Sequence, residues 1–410
     1  MEGMAAFERA ARRKGEKMKR LFTLTVVSAL LWSGASYAAD PVFLFGEETK
    51  GASIAANEAD LNIRIRLQPR FDYGDIIKEK DGNSYAKDAD LYLRRVRLEL
   101  GGSILAKTIK YKLTLSADKW EKAGNTNEVA LHTAYIEWEP SEEISVIVGK
   151  AKLPYSRVSL TSSSSRLLIE NPASTEGAKK LFGPSSSDPY HQPTVTVKGR
   201  LLGGVMGYEA AVADGWQNGE TVQAGRTVFK AGPFYGLRLE ISPPGWIEGK
   251  KSDAHLGKGR HMTLGLHAAK QGSIEYNENV SREDRTLAGF DLSGHYEGLT
   301  AQFEYNGFKI ESDDPAVGSK RPKGFYLQGG YFIAGPNIEP AFRYEVYDQD
   351  SDSSDKKEKT ATVGVNWYLK GHSLKVGANW AHTKYDAGAS GHLVNDDTKD
   401  VLQVQGQMYF

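Results

Sequence analysis

The sequence predicts an all-β protein, an antiparallel transmembrane β-barrel of about 16 strands. Three observations carry that expectation. From Leu61 onward, apolar and polar residues alternate with period two in one strand-like segment after another. The segments are joined by short turns and long polar loops in alternation. The chain closes on VLQVQGQMYF, a further alternating run that ends on a bare aromatic residue, Phe410.

The N-terminus comes first. Met18-Lys19-Arg20 precedes an apolar run from Leu21 to Trp32, and Ser36-Tyr37-Ala38 places small residues around a cleavage point. A membrane-spanning helix needs about 20 apolar residues, more than this run provides. Residues 1–38 therefore read as a cleaved signal peptide, with Met18 a more usual start than Met1. Residues 39–60 follow as a short periplasmic segment, and 61–410 as the barrel. The 52 basic and 52 acidic side chains cancel, and 40% hydrophobic residues are too few for a helical membrane protein. With no cysteine, disulfides, thiolate metal sites, a cysteine nucleophile and a lipidated N-terminal cysteine are all excluded.

LNIRIRLQPRF sets Leu61, Ile63, Ile65, Leu67 and Phe71 on one face and Asn62, Arg64, Arg66, Gln68 and Arg70 on the other. IKYKLTLSAD repeats the pattern with Ile109, Tyr111, Leu113 and Leu115 against Lys110, Lys112, Thr114 and Ser116. TATVGVNWYL and SLKVGANWAH do the same near the end of the chain, and Leu402, Val404, Gly406, Met408 and Phe410 share the apolar face of the last strand. No sustained helical spacing follows residue 60. Long polar connections fall near 74–89, 120–129, 153–193, 214–227, 273–285, 311–322, 349–358 and 386–397. One segment breaks the order: 242–260 stands where a short turn belongs, yet carries Pro243-Pro244 and many charges.

An even strand count puts both ends on one side, with short periplasmic turns there and long extracellular loops opposite. Within lipid every backbone N–H and C=O needs a protein partner, so an open sheet edge does not survive and the sheet must close on itself. A β-sandwich also alternates, but it has no reason to place Trp138, Tyr296, Tyr331, Trp367 and Trp380 near strand ends on the apolar face, where interfacial girdles sit.

Several stretches resemble the phosphate-selective porin O and P family. IEWEPSEEISVIVGKAKLPYSRVSLTSS, with Gly149-Lys150, Lys152, Pro154-Tyr155 and Leu160-Thr161-Ser162-Ser163, is similar to the family's "GK.K.PF"–"LTSS" segment. LYLRRVRLELGG (91–102) resembles its early "R.R" strand. VGVNWYLKGHSLKVGANWAHTKYD and QVQGQMYF resemble its last three strands. The resemblance implies a 16-stranded, trimeric barrel whose third long loop, 153–193, folds into the pore, with basic residues drawing anions through. In that loop Arg157, Arg166, Lys179 and Lys180 are the constriction candidates.

The expected inward face carries Arg64, Arg66 and Arg70, then Arg95 and Arg97, then Lys110 and Lys112. Cations on every second residue, about 7 Å apart, form a ladder along which an anion can pass. Acids share the inward parity: Glu99, Asp118, Glu137, Glu240, Glu304 and Glu345. The readings left open are an anion channel, with phosphate-like oxyanions among its solutes, and a general porin for small hydrophilic solutes. A barrel enzyme, with His295 and His382 as its weak candidates, and a structural anchor stand behind them. His261, His267 and His295 show no spacing that makes a metal site. The acidic run Asp348, Asp350, Asp352 and Asp355 reads as a solvated loop, and no phosphate cradle or nucleophile elbow is present. No cofactor is expected. The expected partners are solutes, outer-membrane lipid and lipopolysaccharide, two sister subunits, and the barrel-assembly machinery, which reads a terminal aromatic such as Phe410; nucleic acid is not among them.

Overall fold

The computed structural model describes residues 51–55, 58–79, 82–183, 190–221, 226–277, 281–315 and 317–410, with the backbone of 42–45. The expected signal peptide and its cleavage point lie outside these residues.

One sheet contains 19 strands, of which Val42–Phe45, Ala52–Ala55 and Val228–Lys230 are short accessories. The other 16 are, in order, β1 (Ala59–Lys78), β2 (Tyr85–Ile104), β3 (Ile109–Trp120), β4 (Ala130–Ser141), β5 (Ile144–Lys152), β6 (His191–Leu201), β7 (Met206–Ala213), β8 (Phe234–Ile241), β9 (His261–Tyr276), β10 (Ser281–Tyr296), β11 (Leu299–Ser312), β12 (Lys323–Tyr331), β13 (Ile338–Asp348), β14 (Lys357–Lys370), β15 (Leu374–Tyr385) and β16 (Thr398–Tyr409). Each pairs antiparallel with its sequence neighbours. The ring closes where β16 returns to β1, with Val401 opposite Gly74 and Tyr409 opposite Arg66. Phe410 and Ile65 exchange both backbone hydrogen bonds, at 2.7 and 3.1 Å. At this seam Gly74 has φ 129°, and a Cβ there would lie 2.2 Å from the Asp400 carbonyl oxygen, so only glycine fits. Beyond Phe410, Ala52–Ala55 pairs with residues 60–63 of β1 and covers the edge that the last strand leaves open.

The alternation read in the sequence is the inside–outside pattern of this barrel. Phe71, Tyr73, Trp367, Trp380 and Phe410 face outward and exposed, while Arg66, Gln68, Arg70, Asn366 and Asn379 point inward and are buried. Trp138, Tyr296 and Tyr331 are exposed on the same outer surface. Among the described residues no helix is long and apolar enough to cross a membrane; strands make the crossing.

Three features depart from the simple reading. The connections expected at 74–89 and 273–285 are largely strand: β1 and β2 pair as far as Lys78 with Tyr85, and β9 and β10 as far as Tyr276 with Ser281. Ladder hydrogen bonds sustain these hairpins even where the side chains are polar on both faces. The loop after β5 holds two helices, α1 (Arg157–Leu160) and α2 (Ala173–Leu181), where no helix was expected. Pro172 starts α2 and the Ala173 amide donates to the Glu345 carboxylate, so the cap comes from the barrel wall rather than from the local sequence. The 242–260 segment, finally, turns inward between β8 and β9.

Candidate functional site

The site is the inner wall at β1–β3 and the loop that crosses it. Register sets Arg64 opposite Glu99, Arg66 opposite Arg97 and Gln68 opposite Arg95, with Arg95 opposite Asp118 on the next strand. Acids accompany the cations closely. Arg66 binds Glu99 at 2.6 Å and stacks 4.5 Å from the Tyr409 ring centroid; Arg70 binds Asp72 at 2.6 Å; Arg97 binds Asp118 at 3.2 Å. Lys112 lies 3.7 Å from Glu99, and Lys110 lies 2.7 Å from Glu139.

Two charges in this cluster were not anticipated. Strict alternation assigns Arg94 to the lipid face, but the register slips between Gln68 and Pro69, where β2 has one residue extra. That bulge turns Arg94 inward beside Arg95, 3.9 Å from Asp118 and 3.5 Å from Glu170. The doublet Arg94-Arg95 was the available signal, since two adjacent arginines cannot both face away from lipid in a regular strand. Glu170, from the loop between α1 and α2, binds the Arg70 guanidinium. Burial pushes its carboxyl up, but Arg70, Arg94 and Arg95 outweigh that and hold it well below the usual carboxylate range. The loop thus brings its own anion to the arginine wall.

Among its described residues, the loop between β5 and β6 is tied to the wall from Ser163 to Leu181. Arg66 donates to the Ser163 hydroxyl, Gln407 to Ser164 O, Lys375 to Arg166 O, Asn366 to Leu167 O, Arg343 to Glu170 O and Arg285 to Leu181 O. These partners sit on β1, β10 and β13–β16, so the loop fills that side of the lumen. Other charges of the wall keep more contact with water. The side chains of Lys112, Lys198 and Asp118 are each 36% exposed, against 3–5% for the whole residues Arg66, Arg70 and Arg95.

The constriction candidates divide accordingly. Arg157 is wholly buried and grips Glu248 through two bonds of 2.8 and 2.7 Å, which ties the loop to the 242–260 segment and removes the guanidinium from any solute path. The same junction has Asp253 N and Ala254 N both donating to Ser165 O at 3.1 Å. Lys179 pairs with Glu176 at 3.2 Å. Lys180 is exposed and lines a cavity of about 820 Å³ at the loop end, with Arg226, Glu283, Arg285, Lys320 and Glu358. Arg166 stays with the wall cluster, and burial with nearby Arg94 pushes its guanidinium down despite Glu170.

Seven cations (Arg64, Arg66, Arg70, Arg94, Arg95, Arg97 and Lys112) face four carboxylates (Asp72, Glu99, Asp118 and Glu170). The patch is net positive. Moreover, the buried Nε donors of Arg66, Arg95 and Arg166 have no acceptor in the protein. Buried arginines sustain a positive field along the wall, and the guanidinium groups that solute can reach are suited to planar, multi-oxygen anions.

With this geometry in view, the comparisons are direct. The family model for phosphate-selective porin O and P matches residues 63–410, nearly the entire barrel. The chain belongs to that family. This porin is 36% identical over 399 residues to an uncharacterized protein of Aquifex aeolicus (strain VF5), with 89% of this chain and 91% of the relative covered. Among solved structures, the fold is similar to an anion-selective porin from Comamonas acidovorans, at TM-score 0.62 and 15% identity, covering 86% of this porin and all of that chain. It is also similar to the outer membrane channel DcaP of Acinetobacter baumannii (TM-score 0.55, 13% identity, 87% and 99% covered). OmpT of Vibrio cholerae in its trimer form is a further match (TM-score 0.55, 9% identity, 86% and 100% covered). Family and fold together make this porin an outer-membrane channel protein.

Proposed function

We propose that this porin is a passive diffusion channel for small anions, phosphate-like oxyanions among them, with solutes passing along the β1–β3 wall. The observation that carries the reading is the net-positive patch of arginines and lysines along β1–β3. Arg64, Lys110 and Lys112 supply the charges that water and solute reach, and Arg97 with the buried arginines sets the field behind them. Family membership and the anion selectivity named for the Comamonas acidovorans neighbour support the same direction. Reconstituted in a planar bilayer with a tenfold KCl gradient, the channel is expected to show a reversal potential of anion-selective sign, and added phosphate is expected to block chloride current. A reversal potential of cation-selective sign ends this reading; one near zero supports a general porin instead.

The chain is further proposed to be exported by its signal peptide, to lie among outer-membrane lipid and lipopolysaccharide, and to form a homotrimer like the OmpT form above. Phe410 is proposed as the assembly signal, its ring half exposed on the outer surface. Deleting Phe410 is expected to cut the amount of barrel assembled in the outer membrane severalfold while leaving refolding in detergent intact. Equal assembled amounts of both chains, measured by heat-modifiable migration, remove that role.

A further inference from the structure

At the turn end of the barrel, three histidines meet. His255 comes from the 242–260 segment, His261 opens β9, and His295 lies directly opposite His261 on β10. The His255 ring is 4.6 Å from those of both His261 and His295. Glu248, from the same inward segment, joins them: one ligand atom each of Glu248, His255 and His261 lie within 4.8 Å of one another. His255 Nε2 is 3.7 Å from Glu248 Oε1.

The unusual feature is what the imidazoles lack. Nε2 of His255, His261 and His295 is buried in each case and has no hydrogen-bond partner. His261 and His295 are each only 2% exposed. Buried polar atoms in folded proteins are nearly always paired, and ring stacking does nothing for an in-plane lone pair. With the proton on Nδ1, three such atoms on neighbouring rings beside a carboxylate are lone pairs that share one chemical need, which is an electrophile.

We infer that Glu248, His255, His261 and His295 form a binding site for a divalent transition-metal ion of the zinc class. The donor set suits such an ion, since imidazole nitrogen and carboxylate oxygen are its ordinary non-thiolate ligands. Ligand atoms about 2.1 Å from a tetrahedral metal stand about 3.4 Å apart. The 3.7 Å between His255 and Glu248 is near that value. Glu248, His255 and His261 already stand close enough for one ion, whereas the His261 and His295 rings are 6.4 Å apart, so His295 joins as the fourth ligand by turning its own ring. Neighbouring groups orient the ligands. His295 Nδ1 lies 3.1 Å from the Thr300 hydroxyl, so a proton held there leaves Nε2 with its lone pair. Glu248 Oε1 accepts from Arg157 and from Ser252 N, while Oε2 accepts from Arg157 alone and keeps a lone pair for a metal, so the carboxylate is fixed in place beside the rings. A metal here would pin the inward segment to β9 and β10 at the point where it also grips the third loop.

The test uses the full refolded chain without an affinity tag, in detergent, titrated with Co²⁺. The expected result is one Co²⁺ per chain with the strong visible bands of a four- or five-coordinate ion, displaced by Zn²⁺. His255→Ala is expected to weaken binding on the order of 100-fold, since one ligand is lost. His132→Ala, on the separate His132–His191 ring pair 4.0 Å apart, is expected to leave binding unchanged. Folding of each variant is checked by heat-modifiable migration. If His255→Ala does not fold, His295→Gln takes its place, with the same loss expected. The inference is overturned if the wild-type chain shows no such bands, if the ligand variant keeps wild-type affinity, or if the loss follows His132 instead.

Discussion

Replacing Arg64, Arg97 and Lys112 together by glutamine is expected to lower the anion-over-cation permeability ratio on the order of tenfold in dilute salt, with the barrel intact. A unit charge about 7 Å from a permeating ion, at the dielectric of water, contributes about 0.6 kcal/mol, or roughly a threefold change in partition. Three such changes compound, and ionic screening trims the product, so the effect is expected to shrink at 1 M salt, where the Debye length is about 3 Å. These three residues are chosen because none is fully buried and, among the described residues, no loop segment depends on them for a hydrogen bond. Arg66 is the instructive contrast. Its guanidinium is sealed between Glu99, Ser163 and Tyr409, so Arg66→Gln is expected to cost stability more than selectivity. The measurement is the reversal potential in a KCl gradient at two ionic strengths. An unchanged reversal potential in the triple variant would show that the wall charges are cancelled by their acids and do not select.

What the sequence made legible follows from which interactions are local. The fold class was readable because lipid and water impose opposite demands on alternate residues of a strand, and stretches of β1, β14, β15 and β16 obey that rule. The inward parity of Arg64, Arg66, Arg70, Arg95 and Arg97 came from the same rule. The rule fails where the ladder has an extra residue: Arg94 was lost because a bulge shifts parity without changing composition. Helix α2 was lost because its cap, Glu345, lies on β13 and is distant in the chain. Of the four loop cations, spacing alone could not separate Arg157, buried against Glu248, from Lys180, open to a cavity. The histidine cluster was illegible for the same reason, since His261 and His295 are partners only through the β9–β10 register and His255 arrives from the 242–260 segment, whose inward course the sequence does not show. The anomaly at 242–260 was visible; its contact with the third loop was not.

The largest loss of stability is expected at Arg238. Its guanidinium reaches from β8 across β9 to Asp291 on β10, with bonds of 2.7 and 2.9 Å, while its Nε donates to Glu240 at 2.7 Å. The side chains of Arg238 and Asp291 are 1% and 0% exposed. Crossing the intervening strand is possible only because Gly265 stands beneath the pair. A Cβ there would lie 2.3 Å from Arg238 Nη2 and 2.6 Å from Asp291 Oδ2. Arg238→Met removes one partner and leaves a buried carboxylate uncompensated, which costs about 3–5 kcal/mol. Arg238→Met with Asp291→Leu removes both charges at similar volume, and most of that loss is expected to return, because two ions no longer need desolvation. Gly265→Val, which changes no charge, is expected to resemble the single variant by forcing the pair apart. The reading is the urea midpoint for refolding into detergent micelles, followed by heat-modifiable migration. If the double variant proves as unstable as Arg238→Met, the contribution of Arg238 is packing across β9, and the ion pair is not what holds these three strands in register.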